Sequence, residues 1–460
     1  MGFCFGAREL SVVVFSVLST YILSFIFEGQ VLYDLFALSS YDCGYVPFAI
    51  ILCHFVGLLC GFFIRNAAAA KRVIAGARAL ALLFTAPFLF ATQWIWSVLL
   101  AFSALATGAA VAAWGWFLKS CTPRRERIKS CADVLILSNV LMIATNVTSV
   151  FVSMRAALAL LLLALAAALT LSLRLPTETV PKEEPCSETN PPRCMAYLCL
   201  FVVTITINSG LMYRVLNPAF AHLSSITVWY WAMPYIAALA VMRRLPLDKN
   251  RSGFLYIAML MVVSSFVAFM FTGRGVSAYL LVNTLMLGAC GIFDLFWWST
   301  AGAMLDYSRN PAVTFGCCLA ANVMGVLLGS VAGSAMSHFN VPEANIAVLA
   351  LVIVCVTMAM LPLLNSRLVI LLACQQPPAD VPTCTEQQSS DADTKSAVIL
   401  TARETSILNS LLAGKTNKVI AEEFRLSENT IKTHVKNIYA KHNVSSRMEL
   451  ILKLHGKSPQ

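Results

Sequence analysis

Asn429, Lys432, Thr433 and Lys436 recur at i, i+3, i+4 and i+7, which sets them in one stripe along a helix. Ile431, Val435 and Ile438 fall on the opposite side. An amide, two ammonium groups and a methyl-bearing hydroxyl suit the major groove of DNA. Lysine can donate to guanine O6 and N7 or to phosphate, and a threonine methyl can meet the thymine methyl. Solvated helix faces also carry lysine and asparagine, so the stripe counts only with elements that position it. A second candidate is Asp294, inside the apolar segment GIFDLFWW. A carboxylate within a membrane span is costly and usually functional: it can hold a proton, a cation or a ligand donor. Pairing with a neighbour for packing alone is the other reading. Asn139, Asn146, Asn208 and Asn283 are further polar candidates for a central cavity, and Arg78, Asp133 and His54 are ionisable groups in or near early spans.

The elements that must carry these residues follow from composition. Of 460 residues 58% are apolar and 12% charged, against about 25% charged in an ordinary soluble domain. Mean hydropathy is +0.75. Too little polar surface remains to cover soluble cores, which excludes a globular soluble protein and a disordered one. A bilayer core of about 30 Å needs about 20 apolar residues in a helix. Twelve such runs are centred near residues 18, 55, 82, 104, 142, 164, 204, 234, 262, 288, 323 and 355. The first follows Arg8 and lacks a small-residue cleavage site, so it reads as a transmembrane helix, not a signal peptide. Small residues in 313–335 are expected to let helices approach closely. The polar, proline-bearing stretch 175–193 divides the body into six plus six.

With the N-terminus inside, the inner loops and flanks hold 19 Lys/Arg and the outer ones Arg155, Arg214 and Arg274. This positive-inside bias expects both termini in the cytoplasm of a bacterial inner-membrane protein. Trp94, Trp96, Trp114, Trp116 and Trp229 lie near run ends, where an interfacial belt accounts for them. The cysteines are scattered through apolar runs without metal-ligand spacing, and no metal or cofactor is expected.

Charge changes after the last span. Residues 375–460 hold 11 Lys/Arg and 9 Asp/Glu, against 22 and 14 in residues 1–374. Residues 375–396, with QQPPADVP and QQSSDAD, read as a flexible linker. Helical periodicity resumes in 397–460. Thr401 to Glu404 forms a capping box. Ile407, Leu408 and Leu411 give one apolar face, and Gly414 is placed to end that helix. Thr416 caps a short second helix, and Ser427 caps a third running to about His442. Asn443 can adopt the left-handed stop. Ser446 to Glu449 opens a fourth helix through Leu450 and Leu454.

Residues 400–452 closely resemble the LuxR/NarL-type helix-turn-helix. The matching features are Leu400–Glu404, the Gly414, Asn417, Ile420, Ala421 segment, Leu426-Ser427 and Thr430–His434, with Ile438, Lys441, Val444, Ser446 and Arg447. Where the family usually has Leu-Gly, this chain has His442-Asn443. The resemblance implies that Lys432, Thr433 and Lys436, with Asn429 and Lys441, serve DNA binding. It places Thr416, Asn417 and Lys418 beside phosphate, and implies dimerisation through the last helix. The six-plus-six body resembles a major facilitator transporter. The loop that such transporters carry between helices two and three meets Gly61, Arg65, Asn66, Ala68, Lys71 and Arg72 here, with Arg65 in place of the acid. That departure weighs against an active pump.

The expected fold is all-α: a twelve-helix membrane bundle over 1–374, then a four-helix LuxR-type domain over 397–460. The expected function is a one-component regulator that senses a small molecule in the bundle, with Asp294, Asn283 and Asn146 as ligand-sensing residues. Its partners are double-stranded promoter DNA, the bilayer, an unidentified small molecule and a second copy. The alternatives are a facilitator-type transporter with a regulatory DNA-binding tail, and a bundle that merely anchors the tail. No nucleophile–base constellation or phosphate-binding glycine loop appears, so no enzyme is expected.

Overall fold

The computed structural model describes residues 6–27, 29–38, 46–90, 95–177, 191–245, 251–339, 341–373, 402–412, 416–424, 426–442, 444 and 450. The chain divides into two compact units, Met1–Pro377 and Pro378–Gln460. Among the described residues all regular structure is helical.

Among the described residues of the first unit, twelve helices are long and apolar enough to cross a membrane. They are Ala7–Ala37, Val46–Phe63, Ala67–Phe90, Trp96–Cys121, Arg124–Phe151, Met154–Ser172, Met195–Ala219, Ala221–Met242, Gly253–Phe271, Val276–Tyr307, Pro311–His338 and Asn345–Leu364. Each centre expected from hydropathy falls within one of them. The first span is longer than its apolar run. Its first helix runs into a π-helical turn at Ile22–Ile26, and a helix resumes at Gln30–Leu38. Asp34 on that extension is satisfied by the Ser149 hydroxyl at 2.5 Å and the Gln30 amide at 2.7 Å. The seventh span's helix opens at Pro191, inside the expected connector. Proline suits a first turn, where its missing N–H has no helical partner in any case. Residues 178–190 of the connector lie outside the described residues.

Small residues set a close helix contact between the seventh and eleventh spans. A Cβ at Gly329 would land on the Ile207 carbonyl oxygen, and one at Gly210 would lie 2.6 Å from the Ser330 nitrogen. The Thr206 hydroxyl donates to the Asn322 carbonyl across the same seam at 3.2 Å. Without a hydrophobic drive between helices in lipid, such contact and hydrogen bonding hold spans together.

Twelve spans bring the chain in and out on one face, and there ion pairs tie the two six-helix halves. Asp133 of the fifth span takes Arg8 of the first at 3.1 Å and Arg243, after the eighth, at 2.5 Å. The carboxylate raises the pKa of the Arg243 guanidinium, mainly by accepting its hydrogen bond. Asp306 takes Arg127 at 2.9 Å and Arg124 at 3.2 Å. About two helical turns further in, Phe15 stacks on Trp114 with ring centroids 4.2 Å apart. Trp298 lies 6.1 Å from Trp114, and Phe315 5.4 Å from each tryptophan. The belt expected from sequence therefore fails for Trp114 and Trp96, which are buried in the bundle. A run end in a polytopic bundle can face a neighbouring helix as readily as the lipid interface. Trp229 remains exposed, and Trp94 lies outside the described residues.

The second unit holds helices Ala402–Leu412, Asn417–Phe424 and Glu428–Lys441. Ile407, Leu408, Leu411, Ile420, Ala421, Ile431, Val435 and Ile438 form its core with Leu450. The Ser427 hydroxyl accepts the Thr430 amide proton at 3.1 Å, the expected cap of the third helix. At the second helix the Val419 amide reaches the Thr416 hydroxyl at 3.5 Å. Gly414, Asn443 and the fourth helix beyond Leu450 lie outside the described residues.

Candidate functional site

The third tail helix presents two chemically opposite faces. Ile431, Val435 and Ile438 are buried, while Asn429, Lys432, Thr433 and Lys436 are exposed. The burial follows the 3.6-residue period, so core packing fixes the rotation of the polar stripe. The Thr433 hydroxyl donates to the Asn429 carbonyl at 3.0 Å, which engages it within the helix and leaves the methyl for an apolar contact. Lys432 pairs with Glu428 at 2.9 Å, both half-exposed. Exposed pairs of this kind contribute about 0.3–0.5 kcal/mol, so a phosphate or a base edge competes easily for the ammonium.

Lys441 behaves differently. Its ammonium sits 2.6 Å from the carboxylate of Glu404, which is only 6% exposed. The pair joins the first and third tail helices. Sequence reasoning places Glu404 in a capping box and Lys441 at the DNA. The link between them spans 37 positions, and no local spacing rule exposes it. Thr416 is exposed at the head of the second helix. The Asn417 and Lys418 side chains lie outside the described residues.

In the bundle, the Tyr235 hydroxyl donates to the Asp294 carboxylate at 2.5 Å. Gly291, just under one turn before Asp294, makes this reach possible. A Cβ there would lie 2.9 Å from the Tyr235 carbonyl oxygen, so the missing side chain lets the eighth span close on the tenth. The Asn283 amide donates to the Trp231 carbonyl at 3.1 Å. Asn283 and Asp294 thus share a helix face turned to the eighth span. Asn146 is buried on the fifth span, and its amide oxygen meets no donor among the described residues. Asn208, 2% exposed on the seventh, leaves both amide atoms without a partner among the described residues.

The other ionisable candidates are absorbed by packing. Arg78 donates to the carbonyls of Val14 and Ile74. His54 lies 3.4 Å from the Thr107 hydroxyl and edge-on to Phe27, and Asp133 is held in its ion pairs. No group of three or more His, Cys, Asp or Glu residues that could hold a metal occurs among the described residues.

Residues 398–454 match the family of bacterial regulatory proteins described as the luxR family. The tail is a LuxR-type helix-turn-helix domain. The chain is 45% identical over 53 residues to the monoamine regulon transcriptional regulator of Klebsiella aerogenes, covering 12% of this chain and 23% of that protein. It is 44% identical over 50 residues to the nitrate/nitrite response regulator protein NarP of Escherichia coli, covering 11% and 23%. The similarity thus spans under a quarter of either relative and is confined to the LuxR-type domain. Solved structures resembling this chain match most of it. The major facilitator transporter FucP in its outward conformation superposes with a TM-score of 0.59 at 13% identity, over 78% of this chain and 98% of that one. The human organic anion transporter MFSD10 gives 0.57 at 12%, over 79% and 98%. The body is a facilitator-like bundle of twelve helices. The Asn310 amide, which caps the start of the eleventh span, donates to the Gly61 carbonyl near the end of the second at 3.3 Å. Asn66 caps the third span by accepting the Ala69 amide proton at 2.7 Å.

Proposed function

We propose that the protein is a membrane-embedded one-component transcription regulator. The bundle senses a small molecule, and the LuxR-type domain binds promoter DNA in response. The observation that carries this reading is the exposed stripe Asn429, Lys432, Thr433, Lys436, on a LuxR-type domain continuous with a membrane bundle. The 19-to-3 loop asymmetry of basic residues supports a cytoplasmic tail in an inner membrane, on the side of the chromosome.

A physical route for the signal is available. The halves are tied at the face where the chain enters and leaves by Asp133 and Asp306, backed by the aromatic cluster of Phe15, Trp114, Trp298 and Phe315. A ligand that favours a different arrangement of the halves draws on its differential affinity to part these contacts. The linker 375–396 lacks a helical repeat, so it transmits no rigid rotation. The signal then acts through availability of the tail, or through pairing of two tails on a two-half-site operator.

The transporter reading has one observation in its favour, the facilitator fold itself. Arg65 in place of the loop acid counts against it, and solute uptake by the purified chain in vesicles would restore it. The sensing role of Asp294 is tested by Asp294→Asn, which removes one charge at nearly constant volume. In a reporter driven by a promoter the tail binds, this variant is expected to lose the response to inducer and keep the tail's DNA affinity. A response identical to the parent's would make Asp294 structural and move the sensing site elsewhere.

A further inference from the structure

Two parallel spans carry the same small-residue pattern, and each begins it with a cysteine. On the seventh, Cys199, Thr206 and Gly210 stand at i, i+7 and i+11. On the eleventh, Cys318, Gly325 and Gly329 do the same. That spacing returns to nearly one side of a helix. Two of the three layers are in direct contact. A Cβ at Gly329 would lie 2.9 Å from the Gly210 Cα, and one at Gly325 would run into the Thr206 hydroxyl. The sequence offset is the same in both pairs, and it sets Cys199 opposite Cys318 in the third layer.

Two contacts place the thiols at that layer. Cys199 Sγ lies 3.8 Å from the backbone carbonyl oxygen of Cys317, the neighbour of Cys318. On the eleventh span, a Cβ at Gly316 would meet the Leu58 carbonyl of the second span and lie 2.9 Å from the Ala112 Cβ of the fourth. Cys318, two positions on, is turned to the opposite side, toward the seventh span. It is fully buried, Cys199 is half-buried, and both thiols are free.

Ordinary helix pairs pass about 8–10 Å apart, whereas a disulfide joins Cα atoms about 4.4–6.8 Å apart. The glycine layers bring these two helices closer than the ordinary spacing. Cys199 lies about 6 Å along the helix from Met195, and Cys318 about 10 Å from Pro311. Both spans start at the face where the chain enters and leaves, so the pair lies toward that face. A solitary thiol in a bundle needs no role beyond packing, but two that face each other in one layer can be joined.

We propose that Cys199 and Cys318 are a redox-active dithiol that a peroxide oxidises to a disulfide, stapling the seventh span to the eleventh. The Cys199 thiolate attacks a peroxide oxygen, the O–O bond breaks, and the departing hydroxide takes up the thiol's proton as water. The Cys318 sulfur then displaces the hydroxyl of the sulfenic acid, and its own proton leaves with that hydroxyl as a second water. Two thiols lose two electrons and two protons, and one hydrogen peroxide becomes two waters. In the orientation proposed above, the pair lies toward the reducing compartment, where disulfides are transient and redox-sensing. The site is an input separate from the small-molecule reading and does not rest on it.

The test uses the full chain in lipid nanodiscs, one copy per disc. Hydrogen peroxide is titrated, free thiols are blocked with N-ethylmaleimide, and the unreduced digest is read by mass spectrometry. At limiting peroxide, the peptide linking Cys199 to Cys318 is expected to exceed any other cysteine pair at least ~10-fold, because facing thiols resolve a sulfenic acid without diffusion, and dithiothreitol should remove it. Cys199→Ser and Cys318→Ser should each abolish the link, and Cys317→Ser should leave it. Absence of the linked peptide in the oxidised parent overturns the proposal, as does pairing of Cys199 with Cys317 or loss of the link in Cys317→Ser. The parent chain alone decides the first two outcomes, so misfolding of a variant cannot rescue the proposal.

Discussion

Replacing Lys432 and Lys436 together by alanine is expected to weaken operator binding by the LuxR-type domain at least ~10-fold, because a good lysine–base contact contributes about 1–3 kcal/mol. Both side chains are exposed on a helix whose opposite face is locked in the core, so their removal leaves no buried cavity. The domain's fold should survive intact. Removing a lysine that neutralises a phosphate should also flatten the dependence of log affinity on log salt by about 0.9. Anisotropy titrations of labelled operator at several salt concentrations separate the cases. Weaker binding to one operator with little change in slope marks base recognition. Uniformly weaker binding with a flatter slope marks phosphate neutralisation. Unchanged binding by the double variant would remove the third helix from the interface.

A second large effect is expected in the bundle. Gly329→Val adds a branched side chain where even a Cβ would meet the Ile207 carbonyl. Backbone cannot yield as a flexible side chain does, so the seventh and eleventh spans must separate, and the Thr206 bond to Asn322 goes with them. Overpacking of this kind costs at least about 1–3 kcal/mol. The variant should elute as aggregate in fluorescence-detected size exclusion, or melt several degrees below the parent. Gly76→Ala is the matched control, because a Cβ at Gly76 meets nothing within 4 Å. Equal melting of Gly329→Val and parent would refute the close-contact account of this seam.

These two cases also mark what is legible in the sequence. The tail reads well because its signals are local: a cap at Ser427, an apolar face at Ile431, Val435 and Ile438, and a complementary polar stripe. Burial of that face and the Ser427 cap both appear in the structure. The twelve spans read well because bilayer thickness sets a length that hydropathy can count. What fails is whatever joins distant positions. Lys441 looks like one more exposed lysine of the third helix, yet it neutralises Glu404 of the first. Trp114 of the fourth span looks like an interfacial residue, yet it stacks on Phe15 of the first. Asp133 reads only as an ionisable group in or near an early span and proves to be shared by two arginines from opposite halves. Asp294 is visible as a charge in an apolar run, but Tyr235 as its partner depends on how closely Gly291 lets the eighth span approach.

The central claim is that the full-length, membrane-borne chain occupies promoters through this tail. Chromatin immunoprecipitation of the full-length protein, compared with its Lys432→Ala/Lys436→Ala variant at equal membrane abundance, tests that directly. Discrete promoter peaks are expected for the parent, and their disappearance in the variant. Peaks that persist in the variant, or a parent with no enrichment over any promoter, would contradict it.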